Sequence, residues 1–529
     1  MIRRSAPVTI GSMLEANERK LPNKPALVWE DKSLTFGELA ARARRLASAL
    51  QGAGCRRQDR VGLLSINRIE QCEAYAASEL AGFITTTLNF RLSPPEMQFV
   101  LADSGARVLI FEDRFAEAID QIRGQLPSVE VYVCIGQGPD WAERYEDFVA
   151  AGDADGPPFR AIEDDVAYLI YTSGTTGKPK GCMLGQLEQY RVVASCSSDL
   201  GIGLPDRTLL AMPMFHVGGK VVQLATNLQG ATGYLLTRYD PDLYLKSLAK
   251  HRATVGHLAP TMIQMLLESP LIGSVDTSSL RVLLYSASAM PTPVLRRAIQ
   301  VFGKVFQQQY GLTEGAGTSL HRESHDPDGD ETAQRRLRSV GVPFPGVQVR
   351  IMGEDGQEAP RGEAGEIWMS GEGMARGYWN NSLASLATFV DGWMRTGDVG
   401  RLDEDGYLYL VDRKKDMIIS GGENIYSREV EEVIFGHPDV LEAAVIGVAD
   451  PKWGEAVCAV VSLRGGSKVT EEELINYCSD NIASYKKPKK IIFMDSLPKF
   501  ASGKINKLDL RARYAGGSPI PDQLVSSAS

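Results

Sequence analysis

Over its first two thirds the chain repeatedly sets a short apolar run before a longer stretch with apolar residues every three or four positions. Pro25-Ala-Leu-Val-Trp29 and Leu34-Thr-Phe36 predict a pair of short strands. They lead into a stretch from Phe36 to Leu50 whose spacing predicts a helix, with Gly52 as its C-cap. Arg60-Val-Gly-Leu-Leu-Ser-Ile66 predicts a buried strand, followed by a helix from Glu70 to Ala81. Further strands are expected at 85–89, 108–110, 131–135, 209–212, 233–236, 255–258 and 280–285. Apolar strands separated by helices imply parallel sheets covered on both faces, the doubly wound α/β architecture.

From about residue 340 the texture changes. Val347-Gln-Val-Arg-Ile351, Gly365-Glu-Ile-Trp-Met369 and Gly406-Tyr-Leu-Tyr-Leu-Val411 are short alternating runs between Gly- and Asp-rich turns, which predicts a small β-barrel or antiparallel sheet. Beyond Lys414-Lys415 a compact α+β unit is expected. It has a helix at 427–436 with Ser427 as N-cap, strands near 441–448 and 456–463, and a helix at 470–482. With 529 residues the chain exceeds one ordinary domain. The expected division is 1–413 (with the β-barrel-like part at about 340–411), 414–415 as connector, 416–514 as a small C-terminal domain, and 515–529 as a disordered Ser/Pro/Gly/Ala tail.

The net charge of −9 argues against a nucleic-acid binder, whose footprint would be basic. Seven scattered cysteines form no CxxC pair and no Cys/His metal spacing, as expected of reduced thiols in a cytoplasmic protein. No apolar h-region follows Met1-Ile-Arg-Arg, and no run approaches the length of a membrane span.

The chemistry centres on Tyr171-Thr-Ser-Gly-Thr-Thr-Gly-Lys-Pro-Lys-Gly181, which follows the apolar run ending at Ile170. Its glycines let backbone N–H groups converge on phosphate oxygens. Thr172, Ser173, Thr175 and Thr176 add hydroxyl donors beside Gly174 and Gly177, and Lys178 and Lys180 add positive charge. It is not a Walker A loop, which requires other residues at the positions of Thr172 and Pro179.

This stretch resembles the phosphate-binding signature of the adenylate-forming superfamily, which includes acyl-CoA synthetases, adenylation domains and beetle luciferases. The resemblance implies ATP, Mg²⁺ and a small-molecule carboxylic acid as ligands, and further stretches fit in the same order. In Pro213-Met-Phe-His216-Val-Gly-Gly219, the resemblance places His216 beside the reacting carboxylate and the acyl pocket. Ser286-Ala-Ser-Ala-Met290 resembles the adenine-binding turn, with Ala287, Ser288 and Ala289 against the base, although Ala289 replaces the usual proline. In Gln307-Gln-Gln309-Tyr310-Gly311-Leu-Thr313-Glu314, Tyr310 offers an aromatic face for adenine. Thr313 offers a hydroxyl for the α-phosphate, and Glu314 a hard oxygen for Mg²⁺. Asp398 can accept both ribose hydroxyls, with Arg413 beside it. The resemblance further implies a hinge at Lys415 and a catalytic Lys504 in Pro498-Lys-Phe-Ala-Ser-Gly-Lys504, where lysine stands in place of the usual arginine after the proline.

The same resemblance implies a thiol acceptor, coenzyme A. Ile418-Ile-Ser420-Gly421-Gly422 resembles the strand lining a pantetheine tunnel, Trp453 the residue flanking it, and Arg91 a contact to the nucleotide phosphates of CoA. Small residues at Val217-Gly218 and Gly315-Ala316-Gly317 suggest an acyl pocket with room for a medium- or long-chain, aryl or alicyclic acid. The expectation is an AMP-forming acyl-CoA synthetase, with a homodimer an allowed state. A stand-alone enzyme loading a carrier protein, a luciferase-like oxygenase and a catalytically dead nucleotide- or acyl-binding homologue are the alternatives.

Overall fold

The computed structural model describes residues 7–172, 179–413, 416–420, 423–500 and 504–514. A nine-stranded sheet has six adjacent parallel strands, in the order Phe306–Leu312, Val282–Tyr285, Val255–Leu258, Arg207–Leu210, Thr232–Leu235 and Pro25–Trp29. Antiparallel strands Gly315–Leu320, Val342–Pro343 and Lys32–Thr35 close its edges. A seven-stranded sheet runs Glu143–Arg144, Val131–Ile135, Val108–Glu112, Arg60–Leu64, Ile84–Thr87, Val166–Thr172 and Lys180–Gly185, parallel except for its last pair.

Strand alternation assigns each side chain to one of two cores. Val282 and Leu284 join a core that also takes Val61, Ile110 and Ile170 from the other sheet. Helices Ile10–Lys20, Phe36–Gly52, Ile69–Ala81, Gln186–Asp199 and Val217–Leu228 contribute to this layer between the sheets. Leu283 and Tyr285 point the opposite way, against helices Pro241–His251, Pro260–Leu267 and Thr292–Phe302. The second sheet is covered outside by Pro94–Ser104 and Ala116–Arg123. Both sheets are thus covered on both faces, the doubly wound arrangement expected.

Residues 347–413 form a five-stranded antiparallel sheet, the open form of the small β unit. Its longest strand, Trp393–Leu402, was not among the expected strands. It carries Asp398 next to Gly397, whose φ of +70° suits glycine, and a bulge between Val399 and Gly400 follows. The smaller C-terminal α+β domain is built on the long hairpin Val440–Asp450 and Gly454–Leu463, with Ile418–Ser420, Glu423–Ile425 and Lys490–Phe493 beside it. Helices Ser427–Phe435 and Glu471–Asn481 pack on it around a separate core.

Two local expectations are corrected. Gly52 is the last helical residue, and Ala53 stands at the C-cap with left-handed Gly54 after it. Ser427 does not cap its helix; Tyr426 occupies the N-cap, and Ser427 Oγ donates to Asp412 Oδ1 at 3.1 Å. The same Oγ accepts from Lys507 Nζ at 2.7 Å, and this charged donor takes the place a helix N–H would fill at a cap. All seven cysteines are buried and unpaired. Among the described residues no helix is long and apolar enough to cross a membrane.

Candidate active site

The parallel strands of the nine-stranded sheet end side by side, and their carboxyl ends face one crevice, the usual position of ligand sites in open α/β sheets. After Arg207–Leu210 comes the turn to His216. Val255–Leu258 carries His257, Val282–Tyr285 is followed by Ser286 to Ala289, and Phe306–Leu312 runs into Thr313 and Glu314. The small domain closes over this crevice, making a cavity of about 1670 Å³ walled by both domains. Thr292 N donates to Glu432 Oε1 at 3.2 Å, Arg428 Nη1 to the Leu410 carbonyl at 3.1 Å, and Arg464 Nη1 pairs with Glu268 at 3.0 Å.

Most of the expected site residues line this one cavity. Thr172, Lys180, His216, Val217 and Gly218 meet Ala287, Ser288, Ala289, Gln309, Tyr310 and Gly311. Thr313, Glu314, Gly315, Ala316, Asp398, Arg413 and Lys504 complete the walls. Ser173, Gly174, Thr175, Thr176, Gly177 and Lys178 lie outside the described residues, as do Lys415, Gly421 and Gly422. The strands flanking the glycine-rich stretch pair antiparallel, with Thr172 opposite Lys180.

Glu314 is held by residues that lie close to Lys180. Tyr378 Oη donates to Glu314 Oε1 at 2.7 Å, and Lys180 Nζ stands 5.0 Å from the centre of the Tyr378 ring. Ala375 N donates to the Glu314 carbonyl at 2.7 Å, and Trp379 N to that of Gly181 at 2.7 Å. A single carboxylate beside a cationic, hydroxyl-lined stretch suits a magnesium ion that takes its remaining oxygens from phosphate and water. Among the described residues no cluster of three His, Cys, Asp or Glu would hold a metal unaided.

At the far end, Tyr310 Oη donates to Asp398 Oδ2 at 2.7 Å, and Arg413 Nε lies 3.1 Å from Asp398 Oδ1. Burial and the neighbouring Asp398 raise the Tyr310 phenol well above its ordinary pKa, so it remains a neutral donor. Each carboxylate oxygen keeps a lone pair for a further donor. Ala287 has φ +77°, unusual without glycine and a mark of local strain in the turn. Asp199, which sequence reading missed, holds the preceding strand by accepting from Gln307 Nε2 at 2.6 Å, Gln309 Nε2 at 2.8 Å and Ser319 Oγ at 2.8 Å.

The His216 ring packs on Phe215 with centroids 4.3 Å apart, and its Nε2 has no hydrogen-bond partner among the described residues. Burial, with the positive charges of Lys504 and Arg91, lowers its pKa to about 4, so the imidazole is neutral at pH 7. Lys504 therefore acts on the same region as His216, although 288 positions separate them in the chain.

Other expected residues lie elsewhere. Gly317 is packed inside the sheet, where a Cβ would stand 2.5 Å from Met369 Sδ, and it does not wall the cavity. Arg91 is exposed, its guanidinium 5.0 Å from the Phe90 ring centre. Ser420 pairs with Gly454 at one end of the C-terminal sheet, and the exposed Trp453 immediately precedes Gly454.

Residues 14–379 match the family model of AMP-binding enzymes, and residues 429–504 that of their C-terminal domain. The chain belongs to this adenylate-forming family. It is 39% identical to a feruloyl-CoA synthase of Amycolatopsis over 96% of this chain and 99% of the relative. It is 34% identical to a long-chain-fatty-acid–CoA ligase of Mycobacterium tuberculosis over 96% and 99%. Among solved structures, an anthranilate CoA ligase in complex with anthranoyl-AMP superposes with a TM-score of 0.88 at 29% identity, over 96% of this chain and 97% of that one. The chain falls in the acyl-CoA synthetase and aryl-acid ligase branch and is an acyl-adenylate-forming ligase of carboxylic acids.

Proposed function

We propose that the protein is an ATP-dependent carboxylic acid:CoA ligase acting in two steps. In the first, a carboxylate oxygen attacks the α-phosphorus of ATP, the bond to the bridging oxygen breaks, and pyrophosphate leaves. In the second, the CoA thiol loses its proton, its sulfur attacks the acyl carbonyl, and AMP departs with the C–O bond electrons.

The observation that carries this reading is the convergence of Lys504, His216, Thr313, Glu314 and Asp398 on one cavity. Lys504 is assigned the charge developing between carboxylate and α-phosphate, and Thr313 a hydrogen bond to the α-phosphate. Neutral His216 borders the carboxylate without adding a second cation. Tyr310 with Ala287, Ser288 and Ala289 is assigned to adenine, and Asp398 with Arg413 to the ribose. The hydroxyls, glycines and lysines of 172–180 are assigned to the phosphates. Glu314 would hold Mg²⁺, which when bound offsets phosphate charge.

Thioester formation is assigned to a second arrangement of the small domain, in which Lys504 leaves the cavity it lines here. A rotation about residues 414–415, between domains 1–413 and 416–514, supplies it. The pairing of Ser420 with Gly454, the residue after exposed Trp453, supports a pantetheine path along that end of the C-terminal sheet, and Arg91 is assigned to the CoA phosphates. Small residues at Gly218, Gly315 and Ala316 favour a medium- or long-chain, aryl or alicyclic acid over acetate. The test is mass spectrometry of purified protein with MgATP and an acid panel, with and without CoA. Acyl-CoA formed only when CoA is present is the expected result, and adenylate that accumulates without passing to CoA would overturn it in favour of a carrier-protein acceptor.

A further inference from the structure

Three residues beyond Lys504 the chain enters the helix Lys507–Tyr514. Phe500 N donates to the Lys504 carbonyl at 2.7 Å and Asn506 N to that of Pro498 at 2.7 Å, so Lys504 and the start of the helix are held close together. Lys507 Nζ donates to Ser427 Oγ at 2.7 Å and pairs with Glu431 Oε1 at 2.7 Å. Ser427 Oγ extends the link to Asp412 Oδ1 at 3.1 Å, and Ser427 N donates to the other oxygen of that carboxylate. One helical turn later, Arg511 Nη1 pairs with Asp416 Oδ1 at 2.8 Å. Residues four apart share a helix face, so two cations on one face hold the carboxylates that stand on either side of residues 414–415.

The two ties join different things. Asp412 lies in the strand Leu408–Arg413 of the five-stranded sheet, whereas Ser427, Glu431 and Lys507 belong to the C-terminal domain. Asp416 follows residues 414–415, on the same side as Arg511. A rotation about 414–415 therefore parts Asp412 from Ser427 and Lys507, and leaves Asp416 with Arg511. Ser427 is fully buried and Asp412 nearly so. Burial raises the Asp412 and Glu431 carboxyls above their ordinary range, and the charge of Lys507 opposes this in both. A buried carboxylate that loses its cation is strongly disfavoured, so this tie is made or broken as a unit.

We propose that Lys507 is a positioning residue for adenylation: through Ser427 it fastens the Lys504 segment to Asp412 and so keeps the Lys504 ammonium in the cavity for the first half-reaction. This rests on the ligase reading above and adds a residue to it. Lys507 acts through Lys504 and not on the substrate, so its loss should lower kcat and leave the KM values for ATP and acid little changed. A small misplacement of an aligned catalytic group is costly, and Lys507→Met should slow adenylation by about 10- to 100-fold.

The test is a double-mutant cycle in ATP–pyrophosphate exchange by the full chain, with the best-used of decanoate, cinnamate and cyclohexanecarboxylate. Lys507→Met should slow exchange by the stated factor alone and add no further loss in Lys504→Ala. Lys507→Arg, which keeps a charged donor, should restore part of the rate. Ser427→Ala cuts the link to Asp412 and keeps the Lys507–Glu431 pair, so it should fall between wild type and Lys507→Met. If Lys507→Met does not fold in a thermal melt, the cycle of Ser427→Ala with Lys504→Ala decides. Transfer of a synthetic acyl-adenylate to CoA should be unchanged in both variants. Equal loss in the two half-reactions, losses that multiply in the Lys504→Ala background, or the same split in Arg511→Met overturns the inference and leaves the ligase reading standing. Absence of transfer to CoA by the wild-type protein overturns the CoA assignment alone, and the exchange cycle still decides Lys507. Absence of exchange with all three acids overturns both.

Discussion

The phenol of Tyr378 donates to the carboxylate of Glu314 at 2.7 Å across 64 positions of sequence. Cys182, in the strand that leaves the glycine-rich stretch, forms a bridge with Tyr378. One residue therefore ties the assigned magnesium ligand to the strand Lys180–Gly185. Tyr378→Phe removes the donor and keeps the ring. Loss of a hydrogen bond to a charged group should lower kcat/KM for adenylation by about 10- to 100-fold. A magnesium titration of pyrophosphate exchange should also show a raised requirement for the ion, whereas a purely structural Tyr378 would lower the melting temperature without shifting that titration.

Lys504→Ala separates the two half-reactions. Removing a charge aimed at the transition state should slow adenylation by about 10²–10³-fold. Transfer of a pre-formed acyl-adenylate to CoA should be nearly unaffected. Pyrophosphate exchange measures the first, and thioester formation from synthetic adenylate the second.

Asp398→Ala should act on ATP and not on the acid. It removes the acceptor shared by Tyr310 and Arg413 and assigned to the ribose. The expected change is a KM for ATP raised about 10- to 100-fold with the KM for acid little altered, read from initial rates with each substrate varied in turn.

Stability should fall on the acid side of pH 6.5. Burial lowers His257 and His325 to about 4, below their unfolded value near 6.5. Between these values the unfolded chain binds protons that the folded chain does not, so stability rises with pH. As pH falls through this window each residue costs up to about 1.4 kcal/mol per pH unit. Denaturant melts between pH 4.5 and 7 should show this slope, shallower in His325→Gln. His216 is neutral for the same reason, so adenylation should show no inflection from it between about pH 6 and 8.

The architecture was largely legible because it rests on local periodicities. The strand at 255–258 and the helix ending at Ala81 fall where apolar spacing puts them. Trp393–Leu402 was missed because Arg395-Thr-Gly-Asp398 breaks the apolar alternation and its bulge shifts the register. Ser427 misled for another reason: an N-cap preference is a local rule, and Lys507, 80 positions away, donates to its Oγ in place of a helix N–H.

The sequence by itself determined which chemical groups the protein brings to its site, because hydroxyls, lysines, carboxylates and aromatic rings in a given order are covalent facts. It also determined the sheet-and-helix texture, because side-chain period follows from backbone geometry. Only the tertiary structure decided which groups meet. Tyr378 on Glu314 and Asp199 under the Gln307–Gln309 strand carry no local signal. Such pairings depend on the spatial order of strands, and parallel crossovers bring residues far apart in the chain to the same crevice. Hydrogen bonding and burial act through those distances, and sequence separation does not encode them.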